Sequence, residues 1–163
     1  MICAVATQHI EHIDFSNSKT TQYIVYRKKE DYKMENKTYK VTVTASTKDL
    51  TAREKIALKN FGSYAIPLDQ YLDENGEKAI IPVVDYITLH IENSKSDNPE
   101  YDVYLIVSDN ATYYTSSNSL HDSIVDIIDE LKAANDTEPW SIAVSKKESK
   151  NYKGKKFITC TLV

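Results

Sequence analysis

Short stretches in which hydrophobic and polar residues alternate dominate the first half of the chain. The clearest is segment 39–44, YKVTVT, whose tyrosine and two valines share one face, as expected of a half-buried strand. Residues 23–26, YIVY, are also aromatic and β-branched, and the polar segment 27–37 between the two predicts the arm of a hairpin. Residues 3–8 predict a first strand.

Two segments carry the signals of an α-helix. Thr51 and Glu54 form a capping box, in which each side chain satisfies a free backbone amide, and they predict a helix of about three turns that ends at Gly62. A longer helix is predicted from about Asn118 to Ala134. Its opposite face is acidic, and its apolar stripe consists of Leu120, Ile124, Ile127, Ile128 and Leu131.

The remaining apolar segments predict further strands and complete the outline of the fold. They are 79–91, bent at Pro82 because proline cannot donate to a ladder, 101–107, 112–115, and a final hairpin of 140–145 and 157–163. The order of elements predicts an α+β fold, either a mainly antiparallel sheet or an OB-like small barrel, with two helices. A length of 163 residues without a linker predicts a single domain, 1–163.

The composition narrows the class of protein. Only three glycines are present, which excludes the Gly-rich loops that cradle phosphates. The first residues lack the basic region of a signal peptide, and no apolar stretch approaches a membrane span, so we expect a soluble cytoplasmic protein with no membrane partner. Cys3 and Cys160 lie in predicted strands without a CxxC pattern, and we expect reduced, buried thiols.

The charge of the chain is segregated along the sequence. A formal net charge of −4 argues against ordinary nucleic-acid binding, which usually goes with a basic excess. However, segment 27–40 contains six basic residues against three acidic ones, and segment 146–156 contains six lysines against one glutamate. The acidic residues concentrate at 69–77, 92–102 and 122–130. The chain therefore has two basic segments although its net charge is negative.

No set of residues has the spacing of a catalytic or metal site. His9 and His12 lie three residues apart but lack further ligands in a supporting pattern. Asp122 and Asp126 are one helical turn apart, and such a pair can hold magnesium, yet a solvated helix face explains them more simply. We therefore expect no enzyme activity, no metal and no cofactor.

Tyrosine is unusually abundant, with 12 Tyr against 3 Phe, and it is interleaved with lysine in both basic segments. Rings that stack on bases beside cations that follow the phosphates are typical of single-stranded nucleic-acid binding. Tyrosine is also an ordinary strand residue and lysine commonly protects exposed hairpins, so both explanations stay open. The candidate binding residues are Tyr26, Arg27, Lys28, Lys29, Tyr32, Lys33, Lys37, Tyr39, Lys147, Lys150, Tyr152, Lys153, Lys155 and Lys156.

The C-terminal third of the chain carries a pattern of its own. Ser117-Asn118-Ser119 precedes the long helix, and the last hairpin contains Ser149, Asn151, Lys153-Gly154-Lys155, Phe157 and Thr159-Cys160. This pattern resembles small proteins encoded by phages and mobile elements of low-GC Gram-positive bacteria. The resemblance implies a role in phage replication, with single-stranded DNA binding on an OB-like barrel. Phage proteins of this kind often end in a flexible acidic tail, whereas this chain ends inside a predicted strand.

Two functional hypotheses follow from these observations. In the first, the hairpins 27–40 and 146–156 flank a groove that binds single-stranded DNA, provided that they share one face. In the second, the protein is a phage-encoded inhibitor of a host defence nuclease, of the anti-CRISPR or anti-restriction type, and binds it through acidic surfaces. Self-association is left open under both. The candidate partner-binding residues of the second hypothesis are Asp122, Asp126, Asp129 and Glu130.

Overall fold

The computed structural model describes residues 39–150 and 152–163. They form eight strands and three α-helices. In chain order these are β1 Tyr39–Ser46, α1 Ala52–Leu58, β2 Ile66–Pro67, α2 Leu68–Glu74, β3 Lys78–Val83, β4 Asp85–Asn93, β5 Glu100–Val107, β6 Thr112–Thr115, α3 Asn118–Ala133, β7 Trp140–Glu148 and β8 Lys156–Leu162, with a 3-10 turn at Phe61–Ser63.

The strands divide into two sheets. The larger has the order β1-β4-β5-β6-β2 and is antiparallel except for the short parallel pairing of β2 with β6. The smaller has the order β3-β7-β8 and is antiparallel throughout. The predicted α+β fold with a mainly antiparallel arrangement is confirmed, and the described residues form two open sheets instead of a closed barrel. The end of α1 and the 3-10 turn pack on one face of the larger sheet, and α3 packs between its other face and the smaller sheet.

The first hydrophobic core lies on one face of the larger sheet. Strand alternation directs Ile87, Leu89 and Ile91 of β4 to this face. The end of α1 and the 3-10 turn cover them with Leu58 and Phe61, both buried. The capping box at the start of α1 is confirmed, since the Thr51 hydroxyl and the Glu54 carboxylate each bond the other residue's backbone amide.

The second core joins the two sheets through α3. The buried stripe of this helix, Leu120, Ile124 and Ile128, packs with Tyr104 on the other face of the larger sheet and with Ile142 of the smaller one. The Ser117 hydroxyl caps the helix by accepting from the Leu120 amide, and it also donates to the carbonyl of Ile158 in β8. The predicted span and apolar face of this helix are confirmed.

Three local predictions are wrong. The helix from Thr51 ends at Leu58 and does not reach Gly62, because the chain tightens there and turns Phe61 into the core. The predicted strand 79–91 is two strands that belong to different sheets, with Val84 between them. The acidic segment after Pro67 contains a third helix, α2, whose Leu68 and Leu72 are fully buried.

The turn that ends α2 contains a glycine with a positive φ angle. Gly76 has φ of 77°, a left-handed conformation that glycine adopts without steric cost. The same is true of Gly154 in the last hairpin, where φ is 78°. Within the part of the chain that the structure describes, every helix is too short or too polar to cross a membrane.

Candidate nucleic-acid interface

The alternation of side chains along the hairpin β7–β8 divides its lysines between two faces. Ile142 and Val144 point into the second core, which defines the inner face of the hairpin. Lys146, two residues further along β7, lies on the same inner face. On β8, Ile158 is buried on the same side, and Lys156, two residues earlier on the strand, therefore also lies on the inner side. Lys147 therefore lies on the outer face, and it pairs across the strands with Phe157.

The inner lysines are held by carboxylates of the preceding elements. Lys146 Nζ lies 2.7 Å from Asp73 and 3.1 Å from Asp69, both on α2, and its side chain is only 9% exposed. These partners raise the pKa of Lys146. Lys156 forms an ion pair with Glu77 in the turn before β3. The positive charge of both lysines is thus matched by neighbouring negative charge, which leaves less of it for an external anion.

The outer face of the smaller sheet contains an open groove of about 560 Å³. Its floor consists of short side chains from the two C-terminal strands, and Ile80, which is 67% exposed, projects from β3. The register places Ile80 opposite Ala143, and Lys78 opposite Ser145. The groove is lined by Lys78, Ile80, Ala143, Ser145, Lys147, Thr159 and Thr161, together with Ala79, Val144 and Cys160.

The tip of the hairpin extends the basic surface beyond the groove. The Ser149 amide donates to the Lys155 carbonyl and the Lys155 amide donates to the Tyr152 carbonyl, so the turn is closed by its own backbone. The Tyr152 ring is 64% exposed, with the Lys155 ammonium 5.5 Å from its centroid. Lys150 and Lys153 are also exposed. The tip therefore presents one ring and three ammonium groups to solvent.

Most of the first predicted hairpin lies outside the described residues. Only its last candidate, Tyr39, is placed, and it lies in the edge strand β1 of the larger sheet, 46% exposed, beside a depression lined by 59–63. Partial burial and the nearby Tyr101 raise the pKa of its hydroxyl. The condition of the first hypothesis, that the two hairpins share one face, therefore concerns residues outside the described part of the chain. The candidates outside the described residues are Tyr26, Arg27, Lys28, Lys29, Tyr32, Lys33 and Lys37.

The acidic candidates on α3 are all solvent-exposed. They occupy the side of the helix opposite to its buried stripe. This is the solvated helix face that the sequence indicated as the simpler explanation, and it is also the arrangement that a partner-binding surface requires. The residues are Asp122, Asp126, Asp129 and Glu130.

The histidines and the cysteine that the structure describes have structural surroundings. His90 Nδ1 lies 2.8 Å from Asp102 on the neighbouring strand. His121 Nδ1 lies 2.8 Å from the Tyr86 hydroxyl, and its ring stacks on Tyr104 with centroids 4.2 Å apart. Burial raises the pKa of the Cys160 thiol to about 11, which disfavours the nucleophilic thiolate. Among the described residues no three His, Cys, Asp or Glu side chains are grouped as metal ligands.

Three residues of this surface were missed by the sequence reasoning. Ile80 and Phe157 were assigned to predicted strands without a binding role, and Lys78, just before the predicted strand 79–91, was assigned to no element. An isoleucine two residues from a lysine on a predicted strand is a weak signal for a binding surface. Alternation shows that the two side chains share a face, but it does not show whether that face is exposed or covered. Only the pairing of β3 with β7 brings them to the basic hairpin.

Comparison with known proteins adds no relative. No protein-family model matches the chain, and neither a curated protein nor a solved structure matches it.

Proposed function

We propose that the protein is a phage-type single-stranded DNA-binding protein and that the outer face of the three-stranded sheet binds the nucleic acid. The observation that carries the proposal is the groove between Ile80 and Lys147, in which one exposed isoleucine lies beside lysines that have no carboxylate partner among the described contacts. Nucleic acid combines the same two chemistries, since each nucleotide has an apolar base face and an anionic phosphate.

The distribution of charge supports the outer face of the smaller sheet over its inner face. The net charge of −4 would repel a polyanion from most approaches. Lys146 and Lys156 are neutralised by α2 and its following turn, whereas Lys78 and Lys147 face the groove without such partners among the described ion pairs. A phosphate chain therefore meets positive charge on this face that no described carboxylate neutralises.

The apolar part of the surface favours a single strand over a duplex. The bases of a duplex are stacked inside it and offer no free face, whereas unpaired bases can lie against exposed side chains. Ile80 and the rings of Phe157 and Tyr152, which are 37% and 64% exposed, would contact them. The short floor residues leave the space that such a base requires.

The proposal is tested by fluorescence anisotropy of a labelled single strand of about 30 nucleotides, longer than the footprint of one small domain. The variant Lys78→Ala, Lys147→Ala is compared with the matched control Lys55→Ala, Lys95→Ala, whose lysines are exposed elsewhere. The salt dependence of log Kd should weaken by about 0.7 per lost phosphate contact, hence by about 1.4 for the first variant and not for the control.

Absence of binding at low salt, or equal losses in the two double variants, would contradict the proposal. In that case the exposed acidic face of α3 becomes the surface to examine, and the second proposal, an inhibitor that binds a host nuclease, gains support. That alternative predicts binding to a basic protein surface that is lost on Asp122→Asn, Asp126→Asn.

A further inference from the structure

We infer that the bound strand runs along the axis of the β7–β8 hairpin, with bases at the Ile80 end of the groove and phosphates towards the hairpin tip. This inference rests on the proposed function. It adds the direction of the bound strand and says which end of the site contacts bases and which end contacts phosphates. It follows from the order in which charged and apolar residues occur along the paired strands.

Residues that are paired side by side across β3, β7 and β8 form rows that run across the smaller sheet. The charge of these rows changes from one end of the sheet to the other. The row that contains Ile80 continues through Ala143 to Thr161 and has no charged side chain. The next outward-facing row contains Lys78, and the row after it contains Lys147 opposite Phe157. The tip then adds Lys150, Lys153 and Lys155. Positive charge therefore increases in one direction along the hairpin.

A strand that crossed the sheet along one row would meet at most one lysine. A strand that followed the hairpin would meet Lys78, Lys147 and then the lysines of the tip, and would gain several phosphate contacts. Because phosphate contacts dominate the affinity of non-specific nucleic-acid binding, the second path is strongly favoured. The uncharged end, where Ile80 is most exposed, is left to contact bases.

The length of this path sets the expected footprint. From Ala143 to Ser149 the chain of β7 advances six residues, which corresponds to about 20 Å at ~3.4 Å per residue. A stacked single strand advances about 3.4 Å per nucleotide, so about six nucleotides cover the path, and fewer if the strand is stretched. A strand of about three nucleotides would occupy the groove without reaching the tip.

The inference is tested with fluorescein-labelled oligothymidylates of about three and about eight nucleotides, shorter and longer than the path. The variant Lys150→Ala, Lys153→Ala, Lys155→Ala should lower the salt slope by about 2 for the longer probe and by less than about 0.7 for the shorter one. Ile80→Ser, at an exposed position, should weaken both probes by a similar factor, and circular dichroism verifies that each variant is folded.

The outcomes separate this inference from the proposed function. If neither probe binds and a strand of about 30 nucleotides also fails to bind, the proposed function is wrong. If the probes bind but the tip variant changes both salt slopes equally, or if affinity does not rise with length, the function stands and the direction along the hairpin is wrong. A length-dependent effect of the tip beside a length-independent effect of Ile80→Ser supports the inference.

Discussion

Replacing Asp85 should destabilise the larger sheet at the point where the end of β1 meets the start of β4. This carboxylate is 6% exposed and lies where the chain leaves β3 and enters β4. Its two oxygens accept from the Ser46 hydroxyl at 3.2 and 3.1 Å, and Oδ1 also accepts from the backbone amide of Thr47 at 3.1 Å and from the Thr47 hydroxyl. The same Thr47 hydroxyl oxygen accepts from the Tyr86 amide at 3.0 Å. One buried side chain thus fastens the end of β1 to the start of β4.

The magnitude follows from the groups that lose their acceptor. A hydrogen bond to a charged group contributes about 1.5–3 kcal/mol, but the donors freed by Asp85→Ala are partly buried and would be partly rehydrated. We expect a loss of about 3 kcal/mol in the free energy of unfolding. In a chain of this length that corresponds to a fall in Tm of about 6–12 °C. Asp85→Asn keeps one acceptor oxygen and should lose about half as much.

Urea unfolding followed by circular dichroism measures the effect, with the exposed Asp109→Ala as the matched control, expected within about 0.5 kcal/mol of the parent. The double variant Asp85→Ala, Ser46→Ala should be less destabilised than the sum of the two single variants, because both remove the same bond. A loss below about 1 kcal/mol, or strict additivity, would refute the structural role given to this carboxylate.

Three further predictions concern single residues of the scaffold. Thr51→Ala removes the capping box of α1 and should cost about 1 kcal/mol in chemical unfolding; a variant as stable as the parent would contradict the cap. Ile124→Ala, at a fully buried position of α3, should cost about 2–5 kcal/mol, and a loss below this range would show that α3 is not packed as described. Cys160 should resist alkylation at pH 8 until the protein is unfolded, because its pKa is about 11 in the fold. Since the thiolate forms first in the unfolded chain, the free energy of unfolding should fall more steeply above about pH 9 than that of Cys160→Ala. Fast alkylation of Cys160 in the folded protein, distinguished from Cys3 by peptide mapping, would argue against burial.

The sequence predicted the elements whose signal is local. The capping box at Thr51 and the five apolar residues of α3 depend on neighbours within one or two turns, so the sequence predicts them without the fold. The predicted strands from 39 and from 101 and the final hairpin are confirmed for the same reason, because strong alternation and a glycine at the turn are local features. The antiparallel α+β class follows from the order of these elements.

Other features depended on which strands pair, and pairing is not encoded locally. Whether 79–91 forms one strand or two was decided by the separate partners of β3 and β4, which are β7 for β3 and β1 and β5 for β4. The short α2 lacks a strong cap and is held by the burial of Leu68 and Leu72.

The candidate site shows the same division between sequence and tertiary structure. Composition identified the lysine-rich hairpin and its tyrosine, since charge and aromatic content are properties of the chain itself. It did not show that Lys146 and Lys156 would be paired with acids more than 70 residues earlier in the chain, nor that Lys78 and Ile80 would complete the outer face. These contacts join residues far apart in sequence. Their energy comes from burial and charge pairing that exist only once the sheets have assembled, and therefore only the tertiary structure decided which lysines remain available.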